Sequence, residues 1–574
     1  MINRKQLFRF VAIVSVVFSL TACYDEQNGN DYDVSQADVH IEIPASAYSA
    51  SLGETITIDP IIETTIPEDD LEFLWEVNGD SVNSQGKKAY LPLLAAEEQA
   101  RVLKYTAHID RNITTLNLSY PCRLHVRQKS TGRDFYSSNS FTITISGISG
   151  LMVLYGNDQN SDIAILQAED FTPSSMTLPA SSAASMQLYS LSNDGQMIPG
   201  KGKQIQQITS LYFTTYMAYY PQILGERCGQ ILALTDKDAR WIDKDGFKAY
   251  GDWNYLFYVQ GDDAFNKNKP LAMYIYMIYI FGFDGGDIFS INALSSFPFL
   301  FADTTTDTPL NDGHSFSFTG QICMPNTNPY PCLLYVDAVD GDRTHKGFVG
   351  LRSLAPGYFK NYSFLLDTKT DQVPFNPGDM KADLMKMARD NRGHALAVLK
   401  GDNSHPQFAG KYFAVDLQMN GAAPAGAQTT FSGIPQYLYD LSSLPNINDA
   451  RFFEFGLTQN MCYYATSNGV YQWRTDGADI SSAGSLGMTD GSTWSPNGEV
   501  TMMKIIDNNN DTPTHSPSET IMLVATWQNN QASLWSLHMD LMSGRISKAV
   551  RFDSSNTPGW NFNMPILDAS IKNM

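Results

Sequence analysis

Aspartate and asparagine recur in short clusters along this chain, and Asp158-Gln-Asn160-Ser-Asp162 is the cluster whose spacing carries chemistry. Oxygen ligands at every second position, followed by Glu169, reproduce the pattern with which a loop wraps Ca2+ and closes on a bidentate carboxylate. Ile163 stands where such a loop wants its sharp-turn glycine, and the flanking runs Leu151 to Tyr155 and Asp162 to Leu166 read as strands, not helices. Asp243-Lys-Asp-Gly246, Asp284-Gly-Gly-Asp287, Asp340-Gly-Asp342 and Asp507-Asn-Asn-Asn-Asp511 offer similar oxygens. Hairpin turns select the same residues on backbone grounds alone, so the turn reading is preferred for each. Ca2+, held by Asp158, Asn160, Asp162 and Glu169, is the one cofactor left open.

Catalytic signatures are missing. The nine histidines are scattered, with no H-E-x-x-H and no G-x-S-x-G elbow. His314 and Ser315 are adjacent, which on a strand sends their side chains to opposite faces. Two carboxylates facing one sugar bond could form a glycosidase pair, but the 60 acidic residues single out no pair, so no catalytic residue is assigned. Aromatic clusters at Tyr212 to Tyr220, Tyr274 to Phe283, and Tyr437 with Tyr439 could stack on sugars or anchor a partner; packing in a core explains them equally well.

Cysteine offers two further chemistries. Cys323 and Cys332 flank a loop with three prolines, where a disulfide and a pair of reduced strand residues are both open. Cys122, Cys228 and Cys462 show no spacing suited to zinc. Cys23 is different. It follows Arg4, Lys5 and Arg9, the apolar run Phe10 to Leu20 and the small residues Thr21-Ala22, the three parts of a secretory signal. Leu20-Thr-Ala-Cys23 resembles the lipobox of bacterial lipoproteins. That resemblance implies removal of residues 1–22 and attachment of a lipid to Cys23. The acidic, polar stretch from Tyr24 to about residue 37 then reads as a flexible tether, and resembles the surface-export signal of Bacteroidetes lipoproteins.

The elements that would position these residues are strands. Residues 38–148 alternate apolar and polar side chains in Val39–Ile43, Thr55–Ile58, Leu71–Val77, Cys122–Val126 and Phe141–Ile145, as a small sandwich does. Residues 149–574 repeat a strand–turn–strand theme, clearest in Met461–Thr466 with Val470–Trp473 and in Ile521–Thr526 with Ser533–Leu537. These hairpins read as blades of a β-propeller, about seven of them at roughly 61 residues each, longer than the ~40–45 of WD40 blades. Tandem β-sandwiches are the alternative. Leu271 to Phe283 reads as one buried strand, too short to span a bilayer, and Asp379 to Asn391 as a short surface helix with Met380, Leu384, Met387 and Ala388 on one face.

Formal charge is −21, and loss of Arg4, Lys5 and Arg9 would make the chain more negative still. Such a surface repels nucleic acid. Leu71-Glu-Phe-Leu-Trp75-Glu-Val-Asn-Gly79 and Tyr120-Pro-Cys122-Arg-Leu-His-Val126 resemble the paired strands of PKD domains, so an immunoglobulin/PKD-like sandwich is expected, without the antibody disulfide. With the lipobox and the tether, the whole resembles the PKD-like family lipoproteins of Bacteroidetes. The resemblance implies an outer-membrane, lipid-anchored protein facing the cell exterior. It would be a non-catalytic binding or assembly component for SusC/SusD-like transporter proteins, with glycan or peptide as ligand. A surface glycoside hydrolase or lyase using acidic residues on the propeller face is the alternative.

Overall fold

The computed structural model describes residues 39–51, 55–77, 105–108, 119–137, 141–146, 148–172, 181–207, 231–244, 246–251, 270–276, 279–284, 287–292, 302–303, 316–323, 331–352, 362–365, 375–389, 392–420, 432–456, 460–475, 483–506 and 520–572. Cys23, the tether, the aromatic run 212–220, His314 and residues 507–511 lie outside them.

From Gly150 onward the described residues form seven successive antiparallel sheets. The second to seventh each take four strands in sequence order, starting with Gly202–Gln207, Pro270–Tyr276, Phe316–Cys323, Ala382–Arg389, Phe452–Gly456 and Glu499–Ile506. The first sheet breaks that order. Gly150–Gly156, Asn160–Gln167 and Ala183–Ser185 supply three of its strands, and Ile566–Lys572, from the far end of the chain, supplies its leading strand. Each leading strand lies beside that of the next sheet, and Glu499–Ile506 lies beside Ile566–Lys572, so the seven close into a ring.

Burial on both faces explains why these strands are apolar without interruption. All of Gly150–Gly156 and all of Met461–Ala465 are buried. Period-two geometry then divides each strand between two seams. Leu151, Val153 and Tyr155 pack towards the seventh sheet with Leu523, Ala525 and Phe562, whereas Met152 and Leu154 pack towards the second with Ile205 and Ile231. The turns follow from backbone chemistry. Asn529 and Asn530 both take positive φ between Thr520–Gln528 and Gln531–Met539, the conformation a two-residue hairpin of primed type requires.

Two expectations fail for local reasons. Ala382–Arg389 is a strand, not a helix. A β-bulge between Leu384 and Lys386 shifts the alternation by one residue, so Ala382, Leu384 and Met387 face one seam while Met385 and Ala388 face the next. That step imitates helical spacing. Leu271 to Phe283 is two strands, Pro270–Tyr276 and Tyr279–Asp284, paired so that Tyr276 opposes Tyr279. Neither residue between the two strands in sequence, Met277 or Ile278, is a glycine or proline that would announce the break.

Before the ring, Leu71–Val77 pairs with Ser119–Gln128, which pairs in turn with Phe141–Ser146 and Asp134–Tyr136. Trp75 opposes Leu124. Ala47–Ser51, a run too small and polar to announce itself, adds to Phe141–Ser146 in parallel. A second pair, Val39–Glu42 with Ile61–Thr64, supplies Ile41 to a core shared with Leu71, Phe73, Leu124 and Val126. At the junction, Ile148 already packs into the ring, and its carbonyl accepts from the buried Lys572 Nζ. Gly150 takes φ of +140°, and a side chain there would meet the Leu166 carbonyl.

Candidate functional site at the mouth of the ring

All seven leading strands run in the same sense, so their first residues gather at one end of the ring. In the first and seventh sheets the turns from second to third strand, at residues 157–159 and 529–530, return to that end. A depression of about 590 Å3 opens there. Its wall is drawn from four sheets: Gly156, Asn157, Asp158, Pro565 and Leu567 from the first, Lys201 and Gly202 from the second, Arg451 and Phe452 from the sixth, and Glu499, Val500, Thr501 and Trp527 from the seventh.

The backbone turns fix these groups. The Asn157 carboxamide oxygen accepts the N–H groups of Gln159 (2.8 Å) and Asn160 (3.0 Å), which holds Asp158 at the tip of the turn. Asp158 pairs with Lys201 at 3.1 Å across one seam, and Arg451 pairs with Glu499 across another. Trp527 lies opposite Glu499 on the adjoining strand. The Thr501 hydroxyl is buried and has no hydrogen-bond partner. At the same end of the ring, Thr344 and Ser442 donate to Asp342 and Asp440 and hold those carboxyls below the ordinary carboxylate range.

Beneath the mouth, side chains stitch neighbouring sheets. Asp568 accepts the Ile205 N–H at 2.7 Å and Lys504 Nζ at 2.9 Å, joining the first sheet to the second and the seventh. Lys386 donates to Glu454 at 2.5 Å, and Gln321 bonds the Met385 carbonyl and the Met387 N–H. A further set joins Asp170, near the start of the chain's ring, to His538 at 3.1 Å, with Ser536 beside the same carboxylate. Burial pushes the Asp170 carboxyl up, but the His538 and Ser536 bonds outweigh it and hold the group below its usual value. Serine, histidine and aspartate are together here, yet all three are buried and both partners point at the carboxylate, an arrangement that joins sheets and leaves no exposed nucleophile.

The Ca2+ expectation is corrected by the placement of its ligands. Asp158 is at the mouth, paired with Lys201. Asn160 begins the following strand, and Asp162 is buried farther along it, its Oδ1 accepting from the N–H groups of Ile163 (2.7 Å) and Ser190 (3.1 Å). Burial pushes the Asp162 carboxyl up. Glu169 is exposed on a separate one-turn 3-10 helix. Among the described residues no three acidic, histidine or cysteine side chains converge as a metal site. The disulfide expectation is corrected by register. Cys323 opposes Leu333, not Cys332, and is a buried thiol in the apolar seam with Tyr335 and Phe348. Of the aromatic pair, Tyr439 is core and donates to the Thr475 carbonyl, while Tyr437 is exposed.

The mouth residues other than Asp158 were not singled out by sequence. They lie as far apart as positions 156 and 567 and meet only because the ring closes. The one available signal is that Lys201, Arg451, Glu499 and Pro565 each sit at or just before the start of a leading strand.

The chain is thus an all-β protein of propeller-like build. No family model matches it, and no curated protein matches it in sequence. Solved structures that match it in part include the WD40 domain of SCAP from fission yeast, at 10% identity over 65% of this chain and 73% of that one, with a TM-score of 0.31. The N-terminal domain of Nup159 matches at 10% identity over 59% of this chain and 75% of that one, with a TM-score of 0.26. PorZ, described as an essential bacterial surface component of the type-IX secretion system of Porphyromonas gingivalis, matches at 12% identity, with a TM-score of 0.27; the match covers 76% of this chain and half the length of PorZ. Scores this low carry no argument, and the ring rests on the chain's own strand pairing.

Proposed function

We propose that this protein is a lipid-anchored surface protein, held by Cys23 in the outer membrane and facing outward. In this reading it is a non-catalytic binding or assembly component of a SusC/SusD-type uptake system. A PKD-like sandwich acts as spacer and a seven-bladed propeller presents the ligand site. One observation supports this most directly. The chain enters the ring at Gly150, and the first strand runs from there to Gly156, so the segment that precedes the ring joins it at one end and the depression opens at the other. A site placed that way points away from whatever holds the N-terminus.

The hydrolase alternative would have to draw on Asp158 and Glu499, the carboxylates at the mouth. Each is already engaged by a cation across a seam, which suits neither a general acid nor a free nucleophile. The test is purification of the full chain from membranes of its own host. The expected result is fatty-acid labelling that Cys23→Ala abolishes, together with co-purification of an outer-membrane transporter. An unlabelled protein, or one recovered without a transporter, overturns the proposal.

A further inference from the structure

We infer that the mouth of the ring is a saccharide site, taking a short neutral oligosaccharide in preference to a charged ligand or a peptide; this deepens the binding role proposed above and rests on it. The charges at the mouth come as two pairs, Asp158 with Lys201 and Glu499 with Arg451. An ionic ligand finds no uncompensated opposite charge there and would compete with the partner already in place. A hydroxyl has no such conflict. It donates to the carboxylate and accepts from the ammonium or guanidinium at once, so vicinal hydroxyls can bridge both members of a pair without net charge.

Two further groups fit the same ligand. Trp527 lines the depression beside Glu499, and a flat indole is the surface on which the C–H face of a pyranose ring stacks. The Thr501 hydroxyl, in the same wall, is buried without a partner, and a ligand hydroxyl can both donate to it and accept from it. A volume of about 590 Å3 falls within the roughly 300–1,000 Å3 of small-molecule sites, room for a short saccharide segment and too little for a folded partner.

Isothermal titration of the full chain with maltoheptaose, xylohexaose, laminarihexaose and mannohexaose tests the inference, with polygalacturonate and a tryptic digest of casein as charged and peptide probes. The expected result is binding of at least one neutral oligosaccharide, changing less than about twofold between about 0.05 and 0.5 M NaCl. Trp527→Ala and the near-isosteric Thr501→Val should each weaken it about tenfold or more; Thr501→Val keeps the test readable if Trp527→Ala folds poorly. Preference for polygalacturonate or casein peptides, abolished by Thr501→Val, overturns the ligand class and leaves the mouth as a binding site. Saccharide binding that both variants retain overturns the location. No binding of any probe overturns the saccharide site and the binding role together.

Discussion

Asp568 offers the sharpest test of what closes the ring. Its carboxylate accepts the buried Ile205 N–H on one side and Lys504 on the other, so a single side chain joins three sheets. Asp568→Ala leaves a buried N–H without an acceptor, a loss of about 1–3 kcal/mol. Lys504 remains 29% exposed and can turn partly to water, so its lost partner adds only about 1 kcal/mol. The expected total is about 2–4 kcal/mol. For a domain of this size the unfolding entropy is large, and each kcal/mol lowers Tm by roughly 1 °C. Scanning fluorimetry should therefore show a fall of about 2–4 °C for Asp568→Ala. Asp568→Asn keeps the acceptor for Ile205 and should lose about half as much. Asp158→Ala is the control: its carboxylate is 81% exposed, and its removal should cost no more than about 0.5 kcal/mol. If Asp568→Ala melts with Asp158→Ala, the seam bonds do not hold the ring and the reasoning fails.

Three other outcomes follow from buried groups. Asp162 has its carboxyl pushed up by burial, so the folded state holds its proton more tightly than the unfolded state and stability falls as pH rises past 3.8. Asp162→Asn keeps an acceptor for Ile163 and Ser190, and should stabilise the protein at neutral pH and not at pH 3, as denaturation at both pH values will show. Asp170 has the opposite sign: its value is depressed, so its contribution is full above 3.8 and drains away as pH falls through the folded value. Asp170→Asn should flatten that acid limb in Tm measured against pH, and an unchanged limb would count against the His538 and Ser536 pairing. Cys323 should alkylate only after denaturation and without added reductant, checked by mass spectrometry; a requirement for reductant would restore the disulfide to Cys332.

Much of the ring was readable from the chain, because a strand buried on both faces is an uninterrupted apolar run and its turns carry their own chemistry. Met461–Ala465 with Val470–Arg474 is the hairpin expected there, as is Thr520–Gln528 with Gln531–Met539. The failures have separable causes. In Ala382–Arg389 a bulge imitates a helix, since shifting period two by one residue yields spacings of three and four. Between Tyr276 and Tyr279 the sequence holds none of the residues that usually announce a break between strands. The mouth was illegible for a different reason: pockets built from strand starts in four sheets have no local signature, and Asp158 was noticed for a ligand spacing that the fold takes apart. Most hidden of all was Ile566–Lys572, whose partner lies more than four hundred positions earlier.

That pairing sets the order of events in the life of the chain. Gly150–Gly156 is apolar along its whole length and shows an unsatisfied edge until Ile566–Lys572 arrives to cover it. Every intermediate that lacks the final strand is therefore both incomplete and sticky. A nascent chain, or a fragment cut anywhere before Ile566, cannot settle into a smaller ring that works less well. It must be kept unfolded or be lost, and the last strand to be made decides whether the first sheet exists.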